Sequence, residues 1–238
     1  MVGNSGFIER NLKYLFPLPA LVFVILLMIF PVCYTLLVGF TDWNLTSGRP
    51  MRFVGLQSYR LVIRDPRFIA AIGRTFAFTL GVVIGEAVLG TIIALILNRE
   101  FRGKGLLKFF LLLPLVVTPV AIGIVFNLFY DPTIGFLNFV LHAFGLPQSG
   151  WVTESATALP SLMLVDIWQW TPMIALIVLA GLSGLSSDPF ESAMVDGANG
   201  LETFFHVTLP MIMPTVLTAI VLRAVDALKT YDIIYAMT

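Results

Sequence analysis

Charged side chains are scarce in this sequence of 238 residues. Only 12% of the residues are charged, whereas a soluble domain carries about 25%. So few charges leave too little polar surface to cover a water-soluble globule, and lipid must therefore be part of the solvent. The 14 basic and 14 acidic residues balance. Without a basic excess we expect no nucleic-acid partner.

Metal-binding residue types are almost missing. Cys33 is the only cysteine, which excludes an intrachain disulfide and a cysteine-ligated metal cluster. His142 and His206 are the only histidines and lie far apart in the sequence. We therefore predict no metal site.

Catalytic signatures are missing as well. The sequence has no zinc-binding histidine pair and no nucleophile elbow. Gly103 and Lys104 do not form a phosphate-binding loop, because Asn98 replaces its first glycine and Gly105 replaces its Ser or Thr. We expect no catalytic residue and no cofactor bound by this chain.

Long apolar runs dominate what is present. Hydrophobic residues make up 58% of the chain, and the mean hydropathy is +0.94. A membrane helix needs about 20 mostly apolar residues, and five stretches qualify: 15–40, 75–97, 107–130, 158–182 and 210–236. The first is too long for a cleavable signal and has no small-residue cleavage site behind it. We predict an all-α fold, a polytopic transmembrane helical bundle over 15–238 that follows a short N-terminal segment, 1–14.

Positive charges give an orientation, although they do not agree everywhere. The turn at 98–108 is short and rich in Lys and Arg, which is typical of a cytoplasmic loop, and 131–157 has neither residue. This places 1–14 and 183–209 in the cytoplasm. The segment 41–74 opposes this orientation with six arginines: Arg49, Arg52, Arg60, Arg64, Arg67 and Arg74. Once Arg10 and Lys13 are included, the count is equal on the two sides, and the dense short turn decides our prediction.

The polar loop 183–209 contains the signals of a short amphipathic helix. Asp188 suits a helix cap, Pro189 the first helical position and Glu191 the third position of a capping box. Asn199-Gly200 is a plausible stop. The predicted apolar face consists of Phe190, Ala193, Met194, Gly197 and Ala198.

The charge of this helix predicts its partner. Helices that lie on lipid are usually basic, whereas this one carries acidic residues and no Lys or Arg. A protein partner is therefore favoured. Gly197 within a helix costs about 1 kcal/mol relative to Ala, which predicts that another surface approaches closely there.

The same loop resembles a known motif. Glu191-Ser-Ala-Met-Val-Asp-Gly197, followed by nine residues and Val207-Thr-Leu209-Pro210, resembles the EAA loop of ATP-binding-cassette importer permeases. Ser192 and Val207 depart mildly from that pattern. The resemblance implies the type I importer permease fold and a coupling helix that docks on a cytoplasmic ATPase. The coupling residues that it implies are Glu191, Ser192, Ala193, Asp196, Gly197, Ala198, Leu209 and Pro210.

Further stretches resemble the maltose-type carbohydrate permeases. They are 98–103, 113–119, 131–138, 168–172 and 231–235. The resemblance implies a multi-pass protein of the bacterial inner membrane that works with two ATPase subunits, a second homologous permease and an extracytoplasmic solute-binding protein. ATP and magnesium would be bound by the ATPase, and the solute would be a sugar or a related compound. It also implies a sixth span beyond Thr238, so we expect the chain to be part of a longer protein.

Ionisable residues within the last two stretches predict the solute path. Each costs about 2.5–3.5 kcal/mol at the centre of a membrane helix, so such residues usually face a bundle interior or a water-filled path. The resemblance implies that the sugar is held midway through the membrane by residues at these positions. They are Asp166, Gln169, Trp170, Met173, Arg223, Asp226 and Thr230.

Two alternatives stay open for these charges. Arg223, Asp226 and Lys229 stand three residues apart and could be structural ion pairs. Glu86, central in the second stretch, could make a hydrogen bond between helices instead of serving transport.

Two other functions are alternatives to the importer permease. A secondary transporter driven by an ion gradient would use Glu86, Asp166 or Asp226 as proton sites and would need no ATPase. An integral membrane enzyme would need converging catalytic groups, for which the sequence gives no signature.

Overall fold

The computed structural model describes residues 11–43, 46, 48 and 50–238, and these divide into two compact units, Met1–Ile72 and Gly73–Thr238. Arg10 and Arg49, which entered the charge count, and most of the predicted segment 1–14 lie outside the described residues. The described part is helical, and its only strand-like feature is an isolated bridge between Thr41 and Phe53.

The first unit contains helix α1, Asn11–Val38, and helix α2, Gln57–Arg64. One stretch of α1, Ile25–Ile29, is a π-helix. It ends two residues before Pro31, which has no backbone N–H to continue the α-helical ladder.

The remaining helices carry the features that matter for function. Helix α3 spans Pro66–Asn98, α4 Lys104–Val116, α5 Pro119–Phe129, α6 Phe136–Ala143, α7 Ser155–Ser183, α8 Asp188–Val195, α9 Gly200–Ala227 and α10 Asp232–Met237. By length and composition α1, α3, α7 and α9 are each able to cross a membrane. They overlap four of the five predicted spans.

The predicted span 107–130 consists of two helices, α4 and α5, bent by 99°. The bend has a local cause. Val117 and Thr118 adopt extended backbone angles ahead of Pro119, because a proline disfavours helical angles in the residue before it. By length and composition the pair also qualifies as one broken span.

The predicted span 210–236 is also interrupted. Helix α9 ends at Ala227, and α10 begins at Asp232 after a short turn. One continuous span over 210–236 is therefore wrong, and a rotation of 100° per residue does not hold beyond Ala227.

Two apolar clusters form the core of the second unit. The first includes Phe78, Val82, Val165 and Ala227. The second joins the other parts of α3, α7 and α9 through Ala94, Ile174, Val178, Leu182, Ile212, Val216 and Ala219. Large apolar side chains such as Leu80 and Val221 are left on the surface, as expected for helices that face lipid or neighbouring subunits.

Candidate functional site

Helix α8 forms in the loop where the sequence predicts it, but its caps differ from the prediction. Ser187 is the N-cap, and no side chain caps this end. Asp188 is therefore the first helical residue, and the capping box between Asp188 and Glu191 is wrong. Both carboxylates still lie in the first turn, where the helix dipole stabilises negative charge.

The capping box stands one helix later. Asn199 accepts hydrogen bonds from the backbone N–H groups of Leu201 and Glu202, and the Glu202 carboxylate accepts one from the backbone N–H of Asn199. Asn199 therefore starts α9 and does not stop α8. The sequence signal was present, since Asn followed three residues later by Glu is a start signal.

Gly197 lies just beyond α8 and not within it. Its φ is +76°, in the left-handed region. The N–H of Gly197 donates to Met194 O and that of Ala198 to Ala193 O, which is the Schellman pattern of a helix end. A Cβ at Gly197 would meet no atom within 4 Å. No described part of this chain approaches closely there, and the backbone angle explains the glycine, so the close approach of a partner surface stays a prediction.

The outward surface of α8 is polar and apolar together. Glu191, Ser192 and Asp196 are exposed, and so are Met194 (75%) and Val195 (87%). Met194 was predicted to share a face with Phe190, whereas Phe190 is half-buried. An exposed apolar pair beside acidic groups is a surface that a protein partner can cover.

Behind α8 lies a cavity of about 980 Å³ between the ends of α3 and α7 and the start of α9. Phe190 is the α8 side chain that lines it, with Leu182, Leu185 and Phe204 among the others. Phe190 therefore links α8 to the long helices.

The other two predicted coupling residues, Leu209 and Pro210, lie within α9, about ten residues after its start. Phe204–Thr208 is a π-helix, in the turn whose α-helical bonds Pro210 disrupts. Leu209 is half-buried and Pro210 is exposed. All eight predicted coupling residues lie within the segment 191–210, and their role in coupling stays a prediction.

The second group of predicted residues surrounds a cavity of about 340 Å³ between α7, α9 and α10. Five of the seven line it: Asp166, Trp170, Arg223, Asp226 and Thr230. The other two lie beside them on α7. Gln169 is buried and donates from Nε2 to Val117 O (3.4 Å), and Met173 is half-buried.

The interruption after α9 changes which residues reach this cavity. On one continuous helix with 100° per residue, Asp232 would lie almost opposite the face that carries Arg223 and Thr230, yet it lines the same cavity as they do, together with Lys229 and Tyr231. Sequence spacing could not show this, because the turn between α9 and α10 replaces the assumed rotation of 100° per residue.

The charges at this cavity pair across helices. Arg223 is only 1% exposed, and its Nη2 donates to the Asp166 carboxylate. Its Nε lies 2.8 Å from Glu86 Oε2, and the guanidinium lies 5.1 Å from the ring centroid of Trp170. Lys229 Nζ lies 2.9 Å from Asp226 Oδ1 in an exposed pair.

The alternative that Arg223, Asp226 and Lys229 form structural ion pairs with one another is correct for one pair and wrong for Arg223. Lys229 pairs with Asp226 as the spacing indicates, whereas Arg223 pairs with residues on α3 and α7. Glu86 has a salt bridge between helices, in line with the packing role weighed for it. Ionisable residues within apolar stretches indicated from the sequence that such ion pairs exist. The sequence does not show which of these residues contact each other.

The segment between α5 and α7 is held by one amide that the sequence analysis did not single out. Asn138, 2% exposed, donates from Nδ2 to Pro132 O (3.1 Å) and Ser149 O (3.0 Å). Its Oδ1 accepts from Ser149 N (3.1 Å) and Trp151 Nε1 (2.9 Å). All four hydrogen-bonding positions of the amide are used, so the loop is ordered by this side chain.

No group of three His, Cys, Asp or Glu side chains in the described part of the chain is arranged to hold a metal ion. The buried carboxylates Glu86 and Asp166 face a guanidinium instead.

Comparison with known proteins covers both regions. The family model described as "Binding-protein-dependent transport system inner membrane component" matches residues 86–238. The probable ABC transporter permease protein y4oQ of Sinorhizobium fredii is 36% identical over 94% of this chain and 72% of that protein. The trehalose/maltose transport system permease protein MalF of Thermococcus litoralis is 34% identical over 97% of this chain and 78% of that protein.

Solved structures share the fold. A bacterial ABC transporter involved in the import of the acidic polysaccharide alginate matches with a TM-score of 0.79 and 22% identity, over 94% of this chain and 76% of that one. A second, in complex with an alginate pentasaccharide-bound periplasmic protein, matches with a TM-score of 0.78. The all-α bundle predicted from the sequence is confirmed.

Proposed function

This chain belongs to the family of binding-protein-dependent transport system inner membrane components, and from that premise we propose that it forms the translocation path of an ATP-driven importer for a sugar or a related polyol or glycoside. It is a multi-pass membrane protein. The names of relatives support the solute class, since they include a trehalose/maltose and a multiple sugar-binding transport system.

The exposed surface of α8 is the observation that carries the coupling role. Acidic residues and the apolar pair Met194 and Val195 lie on the outward side of a short helix that a Schellman turn and a capping box fix at its end. We propose that this helix docks on a cytoplasmic ATP-binding-cassette subunit. Two such subunits would close on each other when they bind ATP. Their closure would move α8 and the corresponding coupling helix of a second permease, and so switch the path between inward-facing and outward-facing states.

The proposed assembly contains a second, homologous permease and an extracytoplasmic protein that delivers the solute. ATP and magnesium are bound, and ATP is hydrolysed, by the ATPase subunits. The proposed location is the bacterial inner membrane, with the N-terminus and 183–209 in the cytoplasm. The family match and the relatives favour this function over a gradient-driven secondary transporter.

We place the solute in the cavity between α7, α9 and α10. Its volume, about 340 Å³, lies in the range of about 300–1,000 Å³ that is usual for small-molecule sites. Trp170 offers a ring on which an apolar sugar face can stack. Asp226, Lys229 and Thr230 offer groups for hydroxyls, whereas Arg223 is engaged by Glu86 and Asp166. Gln169 and Met173 would support the wall.

Glu191→Arg tests the coupling proposal. The tagged chain is expressed with its neighbouring genes and purified from membranes, and the co-purified ATPase activity and the uptake of labelled trehalose and maltose are measured. Reversal of the charge on α8 should remove both, because a basic group replaces an acidic one on the proposed docking surface.

Glu100→Arg is the matched control. Glu100 is an exposed carboxylate in the other predicted cytoplasmic loop, paired only with Lys104 (2.8 Å), and exposed pairs of this kind contribute little. It should keep the ATPase and the uptake. Retention of both by Glu191→Arg would overturn the docking role of α8, and uptake that needs an ion gradient while ATP is present would favour the secondary transporter.

A further inference from the structure

Three charged side chains from three long helices meet in the interior, and we call them the buried triad: Glu86 on α3, Asp166 on α7 and Arg223 on α9. The Arg223 guanidinium contacts both carboxylates, at 2.8 Å from Nε to Glu86 Oε2 and through Nη2 to Asp166. The three side chains are 0–1% exposed. No other ion pair among the described residues is so deeply buried.

Apolar core residues flank each member of the triad along its own helix. Along each helix the charged residue lies between a member of one apolar cluster and a member of the other. On α3 these are Val83 and Ala94, on α7 Val165 and Ile174, and on α9 Ala227 and Ala219. The triad side chains are almost inaccessible, although Asp166 and Arg223 also border the cavity between α7, α9 and α10, so a net charge on the triad would be poorly solvated.

The charges do not balance if both carboxylates are ionised. Arg223 is always cationic, so two carboxylates would leave one negative charge in the core. Among the described residues, Arg223 is the one cation that forms an ion pair with either carboxylate. Lys229 supplies no compensation, because it forms an exposed pair with Asp226.

Two carboxyl oxygen atoms without a hydrogen-bond partner are available to bind a proton, which would cancel the excess negative charge. Glu86 Oε1 and Asp166 Oδ1 are inaccessible and have no hydrogen-bond partner among the described residues. Arg223 Nε and Glu86 Oε2 are close but not aligned as a hydrogen bond. Both carboxyl groups contact the same guanidinium. Carboxyl groups that share a site in this way hold a proton between them.

We propose that Glu86 and Asp166 together bind one proton, so that the buried triad is neutral and joins α3, α7 and α9. The proton comes from solvent: one O–H bond forms on one carboxyl group as one O–H bond of a hydronium ion breaks, and water is released. This site is separate from the coupling helix and does not depend on the identity of the solute.

Infrared spectroscopy of the full chain, purified with its partner subunits in lipid, tests the proposal directly. A protonated carboxyl group gives a carbonyl-stretch band that a carboxylate does not. At neutral pH the unmodified protein should show such a band. Glu86→Gln and Asp166→Asn should each remove it, because either change leaves one carboxylate to neutralise Arg223.

Glu100→Gln is the matched control. It removes an exposed carboxylate and should leave the band unchanged. If the buried variants fail to assemble, carboxyl-labelled aspartate or glutamate in the unmodified protein gives the same information, because a shared proton should make the band shift with either label. A spectrum without the band, a band that survives either buried variant, or a band that shifts with neither label would overturn the proposal.

Thermal unfolding of single and double variants distinguishes a protonated, neutral triad from one in which both carboxylates are ionised. Each single variant keeps a net charge of zero in the triad and should unfold within a few degrees of the unmodified protein. The double variant Glu86→Gln with Asp166→Asn buries an unpaired guanidinium and should unfold at a much lower temperature. Equal loss of stability in a single variant and the double variant would contradict a neutral triad.

Discussion

Gly197 fixes the end of the exposed helix α8 through a single backbone angle. Its φ of +76° is open to glycine at no cost, whereas a residue with a Cβ pays about 1–2 kcal/mol there. No neighbouring atom restricts the position. The function of this glycine is therefore to let the chain turn from α8 into the capping box of α9.

Gly197→Ala should loosen α8, and Gly197→Asn should loosen it less, because Asn tolerates the left-handed region better. A loss of about 1.4 kcal/mol corresponds to a tenfold faster opening, so hydrogen exchange at the α8 amides should accelerate about tenfold in the Ala variant. Gly105→Ala, at an open position within α4, should leave exchange in α8 unchanged. Equal exchange in both Gly197 variants and the unmodified protein would show that the turn does not depend on glycine.

Trp170 lines the proposed solute cavity from α7, and Tyr231 is the other aromatic side chain in its lining. Trp170→Ala should raise the half-saturating solute concentration about fivefold, since an aromatic stacking contact is worth about 1 kcal/mol. Trp168→Ala is the control, because Trp168 is on the same helix but packs against Phe126 and lines a different cavity. Uptake kinetics check the difference. Equal effects of the two substitutions would place the solute elsewhere.

At the scale of elements, apolar length predicts the long helices well. The stretches 75–97 and 158–182 lie inside α3 and α7, because about 20 apolar residues in a row leave few structures other than a membrane helix. Breaks within such stretches were missed. The bend before Pro119 and the turn after Ala227 depend on local backbone angles that hydropathy does not report. For α8, residue types predicted the start closely and the caps poorly.

Close packing of α3 on α7 requires a glycine at position 90. A Cβ at Gly90 would lie 2.8 Å from Ile174 Cγ2 and 3.1 Å from the backbone N of Ala175. Small residues of this kind let membrane helices approach each other. The backbone of α7 at Ala175 cannot move as easily as a side chain. A methyl group added at Gly90 must therefore push the two helices apart.

Gly90→Ala should therefore destabilise the protein by about 1–3 kcal/mol, the usual cost of overpacking. Gly73→Ala is the matched control on the same helix, where the added Cβ meets nothing within 4 Å. It should be neutral or stabilise by up to about 1 kcal/mol through helix propensity. Thermal unfolding in detergent distinguishes them, and a Gly90 variant as stable as the Gly73 variant would contradict the close approach.

At the scale of the whole molecule, composition identified the membrane protein and the motif identified the family, but sequence left the pairing of charges open. Arg223 could be placed within a span from its apolar neighbours. Its partners, Glu86 and Asp166, are 137 and 57 positions away in the sequence, and only the packing of three helices brings them together. The solute and the coupling roles stay proposals for the same reason, because they depend on partners.

Orientation is a prediction that cysteine labelling can check. In a Cys33→Ser background, Gly105→Cys and Gln148→Cys place single thiols at two exposed loop or helix-end positions. An impermeant reagent should label position 148 in intact cells lacking an outer-membrane barrier, and position 105 only after the membrane is opened. The reverse pattern would place the α8 loop outside and remove the basis for coupling.

Cysteine cross-linking of α8 to the ATPase tests the central claim most directly. In the same background, Met194→Cys places a thiol on the exposed surface of α8, and Gln148→Cys serves as the control. A short bifunctional reagent should join position 194, and not position 148, to the ATPase subunit, with a yield that changes on ATP binding. A partner subunit that is present and active but never joined to position 194 would contradict the coupling role of this helix.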